Sequence, residues 1–534
     1  MPRHRAVQLD RRQLLQLAVA AASVQWLART AYSQSSFSQD PFAFGVASGS
    51  PTHDSVVLWT RLAPGAVVHE RNAPLTVRWE LAHDPQFKRL VSQGHSAASP
   101  ELGYSVHVEV PALEADRWYH YRFMVGDAVS PVGRTRTFPK PDATASRLRL
   151  GYASCQKWED GHFSAWRHMR AENLDAVLFM GDYIYEYPGT SSKLRTPGGG
   201  WVLTLDDYRA RYALYKTDPD LQAMHAACPW LMTWDDHEVQ NDYAGDQGGD
   251  SGPRGGWGAM NFPVRRAAAY QAYYENMPLR ASALTQSLGG LARGAEMRIY
   301  SHLQFGRLAS LYLLDGRQYK DPQVCSKGGK RGSSVVDPRQ CEGWNDPSRS
   351  YLGAVQERWL QRELESAASR QAHWNVLGQQ TLFGERNFAR GATQKLWNDG
   401  WDGYGAARTR LTGSLQKSAV ANPVLLGGDV HENWVGQVKA DYADPASASV
   451  GVEFCGTSIT SHSGKTDSTA RLLAENPHFL FADSQHRGYG VAEFTARQLE
   501  VRLRVLDDVT RPDSRIDTLA RFAVQAGRPV VERA

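Results

Sequence analysis

Four short segments of this chain carry side chains that bind metals and move protons: Ser154-Cys155, Gly181-Asp182-Tyr183-Ile184-Tyr185, Asp235-Asp236-His237-Glu238 with Asn241 and Asp242 just beyond, and Asp429-Val430-His431. Carboxylates can bridge or flank metal ions, and such ions lower the pKa of water and clamp the attacking and leaving oxygens of a phosphoryl group. Tyr185 narrows the choice of metal. A phenol with a free pKa of about 10 becomes a ligand mainly to a strong Lewis acid, which favours ferric iron over magnesium. Cys155 as a thiolate suits the same ion, whereas the hard oxygens of Asp236 and Asp429 suit calcium or magnesium. Singly, each segment has an ordinary structural reading. Asp after Gly is a common turn former, the run Asp235 to Glu238 could be an acidic helix start, Asp429 and His431 could be a hydrogen-bonded pair, and a buried Cys155 could be an inert small hydrophobe. Their recurrence at four strand ends of one domain points to metal.

Those strand ends follow from the hydrophobic pattern. Leu148 to Ala153 and Ala176 to Met180 read as buried strands around a helix spanning His162 to Glu172, a β-α-β unit. Further apolar runs at Trp230 to Trp234, Leu308 to Leu314, Trp374 to Leu377 and Val424 to Leu426, with helices at Val264 to Asn276 and Gly353 to Ser366, predict an α/β domain whose sheets are covered by helices. In such sheets reactive groups collect beyond the carboxyl ends of the strands. Before the paired prolines of Phe138-Pro139-Lys140-Pro141, short runs of period two at Val56 to Thr60, Leu75 to Leu81, Val106 to Val110 and Tyr119 to Val125 predict an antiparallel β-sandwich. Leu113 and Tyr119-His120-Tyr121 resemble the tyrosine-bearing strand of a fibronectin type III-like domain. A hairpin is expected at Val491 to Val505, then an amphipathic helix at Ser514 to Ala526. The expected organisation is a leader over 1–33, the sandwich over 34–140, the catalytic domain over 141–507 and a tail over 508–534.

The leader is read from Arg11-Arg12, the apolar run Leu14 to Leu27, and Ala31 and Ser33 before a cleavage site. The run is shorter than the ~20 apolar residues of a membrane span. Arg11-Arg12 resembles a twin-arginine signal, which implies the twin-arginine export machinery as a partner and a periplasmic or secreted product with no stable membrane span; an uncleaved membrane anchor is the competing reading. Removing 1–33 takes five Arg and one Asp from a chain of net charge +4, leaving none. That balance excludes nucleic-acid coating, which needs a basic excess. It leaves a short phosphate-ester substrate to be held by local cations or metals. Of five cysteines, Cys325 and Cys341 flank a Gly-, Lys- and Arg-rich loop and are the best disulfide pair.

The combination of Ser154-Cys155-Gln156, Gly181 to Tyr187, Trp234 to Glu238 and Gly427 to His431, with Gly45 to Pro51 and Val57 to Arg61 in the sandwich, resembles the alkaline phosphatase D (PhoD-like) family of the metallophosphatase superfamily. The resemblance spans nearly the whole chain and implies a metal-dependent phosphoesterase. It implies that Cys155, Asp182, Tyr185 and His431 hold ferric iron, with Asp182 bridging toward calcium. Asp236 and Asp429 would supply the second site, with Asn241 a weaker member. His237 would contact phosphoryl oxygens or protonate the leaving alkoxide in an in-line attack by metal-bound hydroxide, with no phosphoenzyme. Arg317, in Asp315-Gly316-Arg317, has two readings: a cation that neutralises phosphate, or a strand-end salt bridge. Within enzymes the alternative is a phosphodiesterase or phospholipase-like activity, including one on teichoic-type polymers. From another class, the alternative is a non-catalytic extracellular binding protein, whose degeneration should have erased the ligands that are present here.

Overall fold

A computed structural model describes residues 37–63, 73–189, 194–252, 261–285, 296–327, 331–391, 393–444, 446–463 and 469–534. The expected leader, and parts of the Gly-rich loops near 253–258 and 328–330, lie outside the described residues. Among the described residues no helix is long and apolar enough to cross a membrane.

Two sheets face each other. In the first, of ten strands, Leu148–Ala153, Ala176–Met180 and Trp230–Thr233 run parallel, with Leu178 opposite Tyr152 on one side and Leu231 on the other. In the second, of seven strands, Ala309–Leu313, Trp374–Gly378, Pro423–Gly427 and Ser449–Cys455 are parallel, with antiparallel strands beyond. Every residue of Ala176–Met180 and of Pro423–Gly427 is buried, which is why these runs are continuously apolar rather than alternating. Leu178, Leu231, Leu311, Val376, Val424 and Phe454 fill the space between the sheets, each worth about 1.5–3 kcal/mol when fully buried. The approach is close: a Cβ on Gly378 would lie 2.9 Å from the Leu178 side chain.

Helices cover the outer faces. Ser164–Arg170, Leu205–Lys216 and Phe262–Asn276 lay Trp166, Tyr212 and Tyr273 on the first sheet, and Gly353–Leu364 and Gly405–Ser418 lay Leu360 and Leu411 on the second. The helix Leu205–Lys216 starts at a reciprocal cap in which Thr204 and Asp207 bond each other's backbone N–H. The result is a four-layered helix, sheet, sheet, helix arrangement, and the carboxyl ends of both sets of parallel strands meet at one edge. Gln380 Nε2 fastens that edge by donating to Thr233 Oγ1, Trp234 O and Leu314 O at 2.8–2.9 Å.

The N-terminal sandwich is present, but one of its sheets is not separate. Val46–Gly49, Val56–Arg61 and Ser105–Val110 continue the ten-stranded sheet, because Gly49 pairs in parallel with Trp230. A side chain at Gly49 could not fit: its Cβ would meet Trp230 O at 2.7 Å and Pro278 O at 2.6 Å. The facing sheet is built on Leu75–Ala82, Leu90–Ala98 and Trp118–Val125, with Leu58, Val77, Val108 and Tyr121 between the two. Glu114 N donates to Tyr119 OH at 3.0 Å, tying the Tyr119 strand to the turn before it. Trp59 Nε1 reaches Glu275 O at 3.1 Å, so the module is keyed into the helical layer instead of acting as a loose spacer.

The tail departs from expectation. Ser514 to Ala526 is not a helix; Ile516–Gln525 is a strand running antiparallel along Gln498–Leu506. Ala520, Phe522 and Val524 alternate toward the core while Arg521 faces out. That period of two, offered the open edge of the hairpin, wins over an amphipathic helical reading. Cys325 and Cys341 are disulfide-bonded, while Cys155, Cys228 and Cys455 are buried free thiols.

Candidate metal centre

The strand-end residues sit in an unusual backbone conformation. Cys155, Asp182, Asp429 and His431 have φ of 61°, 57°, 65° and 57°, a left-handed region that costs a non-glycine residue about 1–2 kcal/mol. Four such residues persist only because their surroundings over-determine them, and such outliers cluster at functional sites. Glu238 is the main clamp: its carboxylate accepts the backbone N–H of Asp182, Tyr183 and Asp235 at 3.1, 2.6 and 2.9 Å. Cys155 N donates to Gly181 O at 3.0 Å, tying the first two strand ends together. Gly181 has φ 102°, and a Cβ there would lie 2.4 Å from Asp235 N, so only glycine fits between these loops.

Among the described residues donor atoms converge in three overlapping groups, each within 4.8 Å: Cys155, Asp182 and His431; Asp182, Asp236 and His237; and Asp236, Asp242 and Asp399. Asp182 and Asp236 are each shared by two groups. Tyr185 OH lies 2.9 Å from Asp182 Oδ2 and 3.3 Å from His431 Nε2, which places it in the first group. His431 Nδ1 donates to His462 O at 2.7 Å, leaving the Nε2 lone pair toward Tyr185. Burial holds that imidazole down at a pKa of about 4, so it is a neutral donor at pH 7.

These groups fit a metal on physical grounds. Burial raises the Asp182 and Asp235 carboxyls well above the ordinary range, only partly opposed by His237 and Arg317, and burial pushes Asp429 up to about 7. Asp429 Oδ2 and Asp235 Oδ2 are buried oxygens without a hydrogen-bond partner among the described residues. Burial also raises the Cys155 thiol and the Tyr185 phenol. A set of buried acids with orphaned oxygens is unfavourable by itself and becomes favourable around cations. Asp182 is joined by a thiol, a phenol and an imidazole in one group, and by Asp236 and the His237 imidazole in the next.

Arg317 sits among carboxylates. It is 1% exposed, with Nε on Asp235 Oδ1, Nη1 2.8 Å from Asp399 Oδ2 and Nη2 3.5 Å from Asp236 Oδ2. Nε and Nη1 are hydrogen-bonded to carboxylates and Nη2 lies at ion-pair distance from a third, an arrangement that favours the salt-bridge reading. Asn241 is half-buried on the turn after Glu238, and its backbone N–H donates to Glu186 Oε1 at 2.8 Å. His237 Nδ1 lies 2.6 Å from Glu186 Oε2, so its Nε2 is left for chemistry, and its ring packs on Tyr185 at 4.1 Å. Burial opposes the imidazolium, but Glu186, Asp182 and Asp236 outweigh it and raise its pKa well above the ordinary value. Sequence reasoning missed Glu186 and Asp399 as members of the site, and noted Asp242 without assigning it. Only Asp242, six residues after Asp236 on the same loop, carried a usable signal.

The family model of the PhoD-like phosphatases matches residues 150–503, and the model of their N-terminal domain matches 27–139. The chain is 43% identical over 501 residues to alkaline phosphatase D of Bacillus subtilis (strain 168), covering 92% of this chain and 82% of that one. A solved structure titled "Structure of PhoD" superposes with a TM-score of 0.84 at 41% identity, covering 93% of each chain. The convergent acids, the clamped strand ends and these matches agree: the chain belongs to the PhoD-like phosphatase family.

Proposed function

We propose that this chain, a phosphoric ester hydrolase by family, works through a mixed centre in which Cys155, Asp182, Tyr185 and His431 hold ferric iron. Asp236 and Asp429, with Asn241, hold calcium, and Asp182 stands between the two. The observation that carries the reading is the sharing of Asp182: Cys155, His431 and the Tyr185 phenol gather around it in one group, and Asp236 joins it with His237 in the next. Ions held there supply Lewis acidity toward a phosphoryl oxygen and toward water. The chain's own residues do the rest. Glu238 fixes the loops bearing Asp182 and Asp235. Arg317 balances Asp235, Asp236 and Asp399. His237, with Nδ1 held by Glu186, presents Nε2 to protonate the leaving alkoxide.

Elemental analysis with a visible spectrum tests the metal assignment. Iron and calcium are expected in the purified protein, together with colour from tyrosinate-to-iron charge transfer that is lost with Tyr185→Phe. A colourless, iron-free, active enzyme would remove the iron while leaving the hydrolase. A panel of mono- and diesters on that preparation reads the substrate preference, with hydrolysis of both classes expected. Absence of any ester hydrolysis by metal-replete protein would instead favour the non-catalytic reading.

Delivery outside the cytoplasm rests on Arg11-Arg12 and the apolar run that follows. Changing Arg11→Lys with Arg12→Lys is expected to trap the precursor in the cytoplasm on cell fractionation. Normal export of that variant would discard the twin-arginine route.

A further inference from the structure

A phosphate ester is an anion, and with Arg317 engaged by carboxylates no side-chain cation has yet been assigned to it beside the proposed metals. Most described cations around the centre are spoken for. Lys320 Nζ lies 2.5 Å from Asp399 Oδ1 and is fully buried. Arg487 Nη1 donates to His486 O at 2.6 Å and His431 O at 3.2 Å. Arg211 is buried and donates to Tyr185 O and Tyr187 O. Each of these shapes the protein and presents nothing outward.

Lys157 differs. It lies two residues after Cys155, and its side chain is 21% exposed. Its Nζ stands 5.6 Å from the centre of the Tyr185 ring and 5.5 Å from that of Tyr187. The same two rings pack against His237, at 4.1 and 5.2 Å. The ammonium and the imidazole are therefore brought to one pair of aromatic rings, beside the phenol that joins the first donor group. The backbone of Lys157 is fixed on both sides, because Thr460 Oγ1 donates to its carbonyl at 2.7 Å and its N–H donates to Ser461 Oγ at 3.3 Å. Asp160 Oδ2, at 3.9 Å, lies at the outer limit of an ion pair, so it orients Nζ without consuming its three donors.

We propose that Lys157 is a substrate-binding residue, which holds a non-bridging oxygen of the phosphate group while His237 serves the leaving oxygen. The inference rests on the hydrolase reading above and assigns the side-chain cation that reading lacks. Its strength should lie in binding rather than in the chemical step, because the charge it meets is present in the ground state as well as in the transition state.

The test compares the full-length, metal-loaded wild type with Lys157→Gln and Lys157→Arg, reading ester kinetics, inorganic phosphate affinity by calorimetry, metal content and the visible spectrum. Lys157→Gln is expected to weaken phosphate binding and raise KM about tenfold or more, with kcat changed less than about twofold, as loss of one charged hydrogen bond implies. Lys157→Arg should recover most of that loss, and neither variant should lose metal. Unchanged phosphate affinity and KM in Lys157→Gln would overturn the proposal. So would a lost metal or a shifted visible band with KM unchanged, which would make Lys157 a support for Tyr185. A wild type that binds phosphate but hydrolyses no ester would sink the hydrolase reading alone, since the phosphate comparison still decides Lys157. A wild type that neither binds phosphate nor hydrolyses any ester would overturn both.

Discussion

Asp182→Ala is expected to lower kcat/KM by about a thousandfold or more, since it removes a donor common to two groups and metal Lewis acidity is worth several kcal/mol at about 1.4 kcal/mol per decade. Metal content should fall on both sides of the centre, whereas loss of a ligand to one ion would deplete only that ion. Stability should move the other way in metal-stripped protein. Burial raises the folded-state pKa of Asp182 above its unfolded value, so the folded protein holds a proton that the unfolded chain has released. Its contribution is therefore fully present below the unfolded pKa and is lost as pH rises through the folded one. Stripped wild type should be more stable at pH 5 than at pH 8, and Asp182→Ala should narrow that gap. Thermal unfolding at the two pH values, alongside elemental analysis and kinetics, checks all three. A folded Asp182→Ala protein with intact metals and intact hydrolysis would refute the assignment.

How much of this was legible follows from where each residue sits. Asp182, Asp236, Asp429 and Cys155 stand directly after apolar runs, so the strand pattern alone delivered them to one edge. Asp and Asn also tolerate left-handed backbone better than most residues, which made Gly181-Asp182 readable as a sharp strand exit. Asp399 was hidden because it follows the two-residue strand Leu396–Trp397, too short to announce an end, and is brought in by Arg317 and Lys320 from other segments. Glu186 was hidden for a related reason. Beside two tyrosines it reads as core or surface, and its role exists only because His237 folds back onto it across 51 residues. The role of Arg317 was undecidable from one strand, since its pairing depends on three carboxylates from two other segments. The tail failed differently: Ile516 to Gln525 satisfies either period, and the exposed edge of Gln498–Leu506 decided between them.

Replacing His237 with Asn should separate acid catalysis from metal chemistry. If Nε2 protonates the leaving alkoxide, kcat should fall about 10²–10⁴-fold on esters of alkyl alcohols. It should fall far less on esters of acidic phenols, whose departing oxygen needs no proton. An equal loss on both classes would assign His237 to phosphoryl binding or to a metal. The pH profile supplies a second reading through Glu186. Its carboxylate, with those of Asp182 and Asp236, raises the pKa of His237 against the opposing effect of burial. An acid works only while protonated, so activity on alkyl esters must fall as pH rises through that pKa. Glu186→Gln keeps an acceptor near Nδ1 but deletes the charge, so the imidazolium is less favoured and the alkaline limb should move to lower pH. On phenyl esters the His237 limb should be absent in wild type and variant alike, because no proton is delivered there. The pairing of the two substrate classes thus distinguishes loss of the acid from collapse of the loop, since a collapsed Asn241 turn would depress both profiles at every pH.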